Sequence, residues 1–190
     1  MLENILKDNL NKLCAMNNLD DDYDYFIQLE YCYLNLLEGV SNYEFVIDFC
    51  LKHNIKSITD IGTACSVQGV LFNEFDIEYN AINDSHRDAQ DLFVKFKSYQ
   101  QAHYGVDSVN TDKDSLAVAI LSLGWNCYAN REQRNHQYEC LSKDFNDVLL
   151  YIPKEEIEHV RKYFKCVKLL TNCKPLTGCF VYASNTQRYL

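Results

Sequence analysis

The sequence predicts an α/β protein: a mostly parallel sheet with helices on both faces, an antiparallel C-terminal edge hairpin and an N-terminal helical extension. Three observations predict this class. Apolar residues recur at helical spacing over residues 1–55, short apolar strands then alternate with amphipathic helices, and two strands joined by a short loop close the chain. We therefore expect an N-terminal helical cap over residues 1–55 and an α/β domain over residues 56–190, together forming one compact unit of 190 residues.

Three helices are predicted in the cap. The apolar residues of the first are spaced three or four apart: Leu2, Ile5, Leu6, Leu10 and Leu13. The second helix runs from the acidic cluster at residues 20–22 towards Gly39. The third is predicted to begin with a capping box, in which the Ser41 hydroxyl and the Glu44 carboxylate each satisfy an unpaired backbone N–H group.

Residues 56–61 and 77–82 are predicted as strands, with a tight turn and a short helix between them. Asp84 and Ser85 follow the second strand and are suited to cap a further helix. That helix is predicted to present its apolar residues on one side and to end at Gly105. Its apolar residues are Leu92, Phe93 and Phe96.

The remaining elements are predicted from short apolar segments and from helix termini. Residues 106–109 form a very short strand, and residues 116–121 form a buried strand because they are apolar on both faces. A polar helix from about Arg131 leads to a strand over residues 147–152, and Pro153 begins another helix.

The C-terminal segment contains two strands, residues 166–170 and 178–183, joined by a loop that contains Pro175. This loop is too short for a helical crossover. The two strands are therefore expected to pair antiparallel.

The charge of the chain is unevenly distributed. The net charge is −9, and residues 1–85 contribute four lysines and fifteen acids, which leaves −11 in that half. This balance argues against binding of a phosphate backbone, so a nucleic-acid partner is not expected. The acidic half is either a solvated helical surface or a surface that docks a basic protein partner.

The cysteine pattern and the N-terminal sequence predict a reduced, cytoplasmic protein. The nine cysteines include no C-x-x-C pair, so we expect no structural zinc and no disulfide. The N-terminal residues show no basic region followed by an apolar stretch, and the longest apolar stretch, residues 116–125, is too short to cross a membrane.

The turn after the first predicted strand carries the functional signal. Asp60 lies at the strand end, Gly62 permits a backbone conformation that side chains disfavour, and a helix follows. Such a turn brings a ligand close to the backbone at the carboxyl end of a parallel sheet. A dinucleotide fingerprint would require a glycine at Ala64, and Gly69 is too late for the third glycine.

The pattern Asp60-x-Gly62-x-Ala64-x-Ser66 resembles the first motif of class I S-adenosylmethionine-dependent methyltransferases, an acid followed by three alternating glycines. The resemblance extends over roughly residues 40–185, because the order of helices and strands is also similar. It implies a Rossmann-like fold and S-adenosylmethionine as the cofactor.

The same resemblance implies individual site residues. Asp60, Gly62, Ala64 and Ser66 would bind the cofactor, and the family's ribose-binding acid at the end of the second strand corresponds to Asn83 followed by Asp84. Residues after the strand 116–121 would contact the substrate. These substrate-binding candidates are Ser122, Trp125, Asn126 and Tyr128.

Two functions are compatible with these features. The first is methyl transfer from S-adenosylmethionine to a small-molecule acceptor, with no catalytic base identifiable from the sequence. The second is a binding or regulatory protein that keeps the fold without the chemistry, because Ala64 and Ser66 replace two glycines of the motif.

Overall fold

One mixed sheet organises the computed structural model, which describes residues 1–17, 23–83, 91–120, 130–171 and 178–189. Its seven strands are β1 (Ser57–Ile61), β2 (Glu78–Asn83), β3 (Phe96–Gln101), β4 (Leu116–Ile120), β5 (Asp147–Ile152), β6 (Cys166–Leu169) and β7 (Cys179–Ser184). The helices of the described residues are α1 (Leu2–Asn17), α2 (Tyr23–Glu38), α3 (Val40–Lys52), α4 (Gly69–Glu74), α5 (Arg131–Asp144) and α6 (Ile157–Val160), the last preceded by a 3₁₀ turn, Lys154–Glu156.

The strands lie in the order β3-β2-β1-β4-β5-β7-β6. Strands β1 to β5 are parallel, whereas β7 inserts antiparallel between β5 and β6. The predicted class, a mostly parallel sheet with an antiparallel C-terminal hairpin and helices on both faces, is confirmed. Because the chain order reverses between β1 and β4, the carboxyl ends of these strands border a crevice where ligands bind in such sheets.

The two faces of the sheet carry separate cores. Along β4, Leu116, Val118 and Ile120 pack with α1, α2, α3 and α4 on the first face. Ala117 and Ala119 point to the second face, where α5 and α6 pack. This alternation follows from the period of two in a strand, and full burial of β4 explains why its sequence is apolar throughout.

The N-terminal helices are part of the first-face core. Leu6, Leu13, Leu29 and Val46 are fully buried in the same cluster as the strand residue Ile58. Helix α1 packs against both α2 and α4. The α2–α3 junction is thereby brought next to the turn that follows β1.

The predicted helix carrying Phe96 is wrong, because this residue begins the edge strand β3. A register shift between Tyr79 and Asn80 places a bulge at Lys97, so that Phe96 packs beside Tyr79 while Ser98 hydrogen-bonds Asn80 at 2.8 Å. The bulge breaks the simple alternation that identifies a strand in a sequence. Cross-strand pairing, which includes a 2.6 Å ion pair between Lys97 and Glu78, decides the conformation.

Two smaller predictions are also wrong. Helix α3 begins at Val40 with Gly39 as its N-cap and has no side-chain cap, so Ser41 and Glu44 do not form a capping box. Residues 106–109 form no strand, and only an isolated bridge joins Tyr104 to Asp107.

One described cysteine departs from the expected reduced state. Cys179 on β7 is disulfide-bonded, so the expectation of no disulfide is wrong. Among the residues that the structure describes, no group of three His, Cys, Asp or Glu side chains is placed to hold a metal ion. No helix in the same part of the chain is both long enough and apolar enough to span a bilayer.

Gly69 provides a test of the packing that supports α4. A Cβ atom at this position would lie 2.5 Å from Cγ1 of Val94 and 2.8 Å from the ring of Tyr79. We expect Gly69→Ala to lower the free energy of unfolding by roughly 1–3 kcal/mol through overpacking, as measured by urea denaturation.

Gly39→Ala is the matched control for Gly69→Ala. The nearest atom to a Cβ at Gly39 is the carbonyl oxygen of Asn35 at 3.7 Å, an ordinary contact. Its stability should remain within about 1 kcal/mol of wild type. Equal losses in the two variants would contradict close packing at Gly69.

Candidate functional site

The turn between β1 and α4 has a left-handed backbone at three alternating residues. The φ angles are +74° at Gly62, +50° at Ala64 and +59° at Ser66. The methyltransferase motif that this turn resembles has glycines at these three positions. Glycine adopts such φ angles without steric cost. Ala64 and Ser66 adopt them against the preference of residues that carry a Cβ atom.

The end of β2 holds this turn in place. The amide of Gly62 donates to the carbonyl oxygen of Ile82 at 2.8 Å, and the side-chain amide of Asn83 donates to the carbonyl oxygen of Ala64. Asn83 is buried. Its amide nitrogen therefore fixes the left-handed backbone at Ala64, a structural role that the sequence did not indicate.

Asp60 lies beneath the turn and not in the cleft. Its side chain is 2% exposed, and its Oδ2 accepts hydrogen bonds from Nε2 of Gln68 at 2.8 Å and from the Tyr79 hydroxyl at 2.9 Å. Burial raises the pKa of the Asp60 carboxyl to about 6, although these two hydrogen bonds and one from the Ile61 amide oppose the shift. The Asp60 carboxyl therefore supports the turn on the side that faces the protein interior.

Ser66 also faces inward. It is fully buried, and its hydroxyl lies 2.6 Å from the Thr63 hydroxyl and within hydrogen-bonding reach of the Tyr79 oxygen. Burial, and next the charge of Asp60, raise the pKa of Tyr79, which therefore remains a hydrogen-bond donor. Ser66 stabilises the turn without narrowing the space above it.

A cleft of about 310 Å³ lies above the turn. One wall is the turn itself with the end of β4, and the other is the α2–α3 junction. The first wall consists of Gly62, Thr63, Ala64, Val67, Gln68 and Ile120. The second consists of Tyr31, Cys32, Asn35, Leu36, Gly39, Asn42 and Tyr43.

The cleft contains donors suited to a polar ligand. Among the described residues, the backbone amides of Thr63 and Ala64 have no acceptor. Gly62 and Ala64 are exposed at the turn. A ligand that carries a carboxylate or other hydrogen-bond acceptors therefore finds two amide donors beside an open backbone.

The predicted site residues fall into three groups. Gly62 and Ala64 line the cleft, whereas Asp60, Ser66 and Asn83 are buried around the turn and brace it. The remaining candidates lie outside the described residues: Asp84, Ser122, Trp125, Asn126 and Tyr128.

Several residues of the site were missed by sequence reasoning. Gln68 and Tyr79 brace Asp60, and Tyr43 and Asn42 line the cleft from α3. Gln68 follows Asp60 by eight residues, a spacing with no standard motif. The contributions of α2 and α3 depend on how the cap packs, which no local pattern encodes.

Many solved structures share this fold, and three of them illustrate its range. Magnesium protoporphyrin IX methyltransferase (ChlM) from Synechocystis PCC 6803, with bound SAM, has a TM-score of 0.58 and 9% identity over 93% of this chain and 96% of that chain. PigF with SAH has a TM-score of 0.60 and 8% identity over 94% and 69%, respectively. An rRNA methylase from Escherichia coli has a TM-score of 0.56 and 11% identity over 94% and 77%.

These similarities establish the fold. The chain has the Rossmann-like fold of class I S-adenosylmethionine-dependent methyltransferases, as the resemblance implied. No protein-family model matches the sequence, and no curated protein matches it either.

The strain at Ala64 is open to a direct test. Replacing Ala64 by Gly removes a left-handed penalty of about 1–2 kcal/mol and adds the freedom of glycine to the unfolded chain, so we expect a net stabilisation of roughly 0.5–1 kcal/mol. Ala64→Val should instead destabilise, because a β-branched side chain tolerates a positive φ poorly. Urea denaturation of both variants measures the difference, and a Gly variant less stable than wild type would refute a left-handed residue here.

Burial of Asp60 predicts a pH dependence of stability. Its pKa of about 6 in the folded state exceeds the unfolded value of about 3.9, so the folded protein binds the proton more tightly. The resulting stabilisation is complete below about pH 4 and is lost as the pH rises through 6, an effect on the order of 2–3 kcal/mol. Asp60→Asn should remove this component, so its stability relative to wild type should rise between pH 4 and pH 7.

The matched control for Asp60→Asn is Asp48→Asn, which changes an exposed carboxylate on α3. Its stability relative to wild type should stay nearly constant over the same pH range. A constant difference between Asp60→Asn and wild type would show that the carboxyl is not buried in the folded protein.

Proposed function

We propose that this protein binds S-adenosylmethionine in the cleft above the β1–α4 turn and transfers its methyl group to a small-molecule acceptor. The observation that carries the proposal is the left-handed backbone at Gly62, Ala64 and Ser66, at the carboxyl end of β1. Two structural neighbours support it, since ChlM was solved with bound SAM and PigF with SAH.

The residues of the turn fit the cofactor. The unpaired amides of Thr63 and Ala64 are suited to its carboxylate, and the exposed backbone at Gly62 permits close approach. Tyr31 and Tyr43 line the opposite wall of the cleft, and aromatic rings attract a sulfonium cation. The ribose contact that the resemblance assigns to Asp84 remains a prediction.

Methyl transfer requires few chemical contributions from the side chains. Bound S-adenosylmethionine supplies an electrophilic methyl group on sulfur. The chain's own contribution is to orient this group with the turn and to hold an acceptor against the α2–α3 wall, so that positioning supplies most of the rate. Leu36, Val67 and Ile120 are buried beside the cleft and exclude water from its floor.

The acceptor is proposed to be a small molecule because of the size and charge of the site. A cleft of about 310 Å³ is at the lower end of small-molecule sites. The fold itself is also used by an rRNA methylase, so the fold does not decide this point. The acidic N-terminal half of the chain disfavours binding of a polynucleotide. It suits a basic protein partner, which is a second proposal. The proposed location is the cytoplasm.

One observation favours the alternative, a binding or regulatory protein without methyl transfer. Of the candidate residues that the structure describes, the two with carboxylate or amide side chains, Asp60 and Asn83, hydrogen-bond within the turn and its supports. In such a protein the cofactor or a related nucleoside would bind without turnover. Binding and product formation must therefore be measured separately.

The test combines calorimetry with a matched pair of variants. Wild type should bind S-adenosylmethionine or S-adenosylhomocysteine at micromolar concentration. Ala64→Leu should weaken binding at least about tenfold, because a larger side chain on this exposed turn residue fills the cleft.

Asp76→Leu is the control for Ala64→Leu, since Asp76 is also left-handed (φ +54°) and exposed, but lies outside the cleft. Its affinity should stay within about twofold of wild type. No binding of either ligand at millimolar concentration would overturn the cofactor proposal, and binding without formation of S-adenosylhomocysteine in the presence of acceptors would support the alternative.

A further inference from the structure

The solvent-facing side of α2 carries an apolar stripe. Ile27, Tyr31 and Leu34 recur at spacings of four and three residues, so their side chains lie along one line of the helix. They are 42%, 66% and 49% exposed. The opposite side of α2 supplies the core contacts, through buried residues such as Leu29 and Tyr33. This helix is therefore apolar on two sides, and the stripe is the side that faces solvent.

Other helices of the protein have polar exposed faces. On α1, the exposed side chains of Glu3 and Lys7 form an ion pair at 3.2 Å. On α5, Lys143 and Glu139 form a similar pair at 2.6 Å. Charges of both signs suit a helix face that stays in water, whereas three large apolar side chains in a row mark an interaction surface.

Acidic side chains lie at both ends of the stripe. Asp24 is three residues before Ile27 and Glu38 is four residues after Leu34, and both are exposed on the same line of the helix. Neither carboxylate forms an ion pair with a residue that the structure describes. Helix α2 itself contains no Lys, Arg or His. Two such carboxylates favour a partner that carries cationic side chains at the matching positions.

A second copy of this chain does not fit the stripe. In an antiparallel pair of α2 helices centred on Tyr31, Asp24 of one copy would lie near Glu38 of the other copy at both ends of the pair. In a parallel pair, each carboxylate would lie near its own equivalent. Like charges brought together in this way destabilise both arrangements.

The geometry of the stripe fits a helix as the partner. Asp24 and Glu38 are fourteen residues apart, which corresponds to about 21 Å along α2. A helix that packs along α2 at a shallow angle inserts its own apolar residues, spaced three or four apart, between Ile27, Tyr31 and Leu34. A partner helix of about four turns with Lys or Arg at both ends would also reach both carboxylates.

From these features we infer an interaction surface: the stripe of Ile27, Tyr31 and Leu34 docks an amphipathic helix of another protein, which has basic residues at both ends of its apolar face. The inference gives a location to the basic protein partner in the proposed function and rests on that part of it alone. Tyr31 belongs both to the stripe and to the wall of the cleft. The docked helix therefore lies at the mouth of the cleft.

The experiment uses two fluorescein-labelled model helices of about sixteen residues that share one leucine stripe. In the basic peptide the other residues are lysine and alanine. In the acidic peptide each lysine is replaced by glutamate, which has a similar helix propensity. Each peptide is titrated with the full chain at physiological ionic strength, and fluorescence anisotropy measures binding. We expect the basic peptide to bind at micromolar concentration and the acidic peptide at least about tenfold more weakly, because only the basic peptide complements Asp24 and Glu38.

A first matched pair of double variants locates the apolar contact. Ile27→Ser/Leu34→Ser changes no residue that lines the cleft and should weaken binding of the basic peptide at least about tenfold. The control is Leu51→Ser/Leu169→Ser, which changes two residues of α3 and β6 that are 49% and 43% exposed. Its affinity should stay within about twofold of wild type, because these residues lie outside the stripe.

A second matched pair tests the charges. Asp24→Lys/Glu38→Lys should raise the affinity of the acidic peptide to that of the basic peptide or above it. Glu74→Lys/Glu132→Lys makes the same change in net charge at exposed positions of α4 and α5 and should keep the preference for the basic peptide. Loss of the preference in both double variants would show that net charge alone governs binding, which overturns the docking surface.

Three further results would overturn the docking surface: no binding of the basic peptide, equal binding of both peptides, or undiminished binding by Ile27→Ser/Leu34→Ser. A wild-type dimer in analytical ultracentrifugation that this double variant converts to a monomer would assign the stripe to a second copy instead. Binding of S-adenosylhomocysteine is measured separately, by calorimetry without peptide. Its absence overturns the cofactor proposal, whereas peptide binding with the expected preference supports the docking surface in either case.

Discussion

The buried carboxyl of Asp60 is the constraint on which the turn above it depends. It ties Gln68, the N-cap residue of α4 at the end of the turn, to Tyr79 on β2. The ring of Tyr79 in turn stacks on Phe72 with centroids 5.6 Å apart and packs where Gly69 has no Cβ atom. The hydrogen bonds of Asp60 and the apolar core therefore fix the same residues. They support the turn although Ala64 and Ser66 replace two glycines of the motif.

The N-terminal helices form one wall of the cleft at the carboxyl ends of the central strands β1 and β4. Aromatic contacts join α3 to the rest of the fold: Tyr43 meets Phe72 edge-on at 6.4 Å, and Phe45 stacks on Phe180 of β7 at 4.1 Å. Such pairs add to the free energy of ordinary apolar burial. The wall opposite the turn therefore consists of residues between Tyr31 and Tyr43, which lie well before the turn in the chain.

The chemistry of the cleft follows from a division of roles between buried and exposed groups. The charged and polar motif residues Asp60, Ser66 and Asn83 face inward and hold the backbone, which leaves amides, hydroxyls and apolar side chains at the surface of the cleft. The described residues of the cleft therefore offer a ligand hydrogen bonds and apolar contacts. In the proposed methyl transfer, orientation of the two reactants would supply much of the rate.

The sequence by itself determined the α/β class, the buried strands, the antiparallel hairpin and the position of the glycine-containing turn after β1. Apolar periodicity and a glycine after a strand are local signals. Only the tertiary structure decided that Phe96 begins an edge strand, since pairing with β2 and a bulge at Lys97 outweigh helical spacing. It also decided that Asp60 and Asn83 point into the protein and that Tyr31 and Asn42 reach the cleft. These outcomes depend on contacts between segments that are distant in the chain. Local sequence patterns do not predict such contacts.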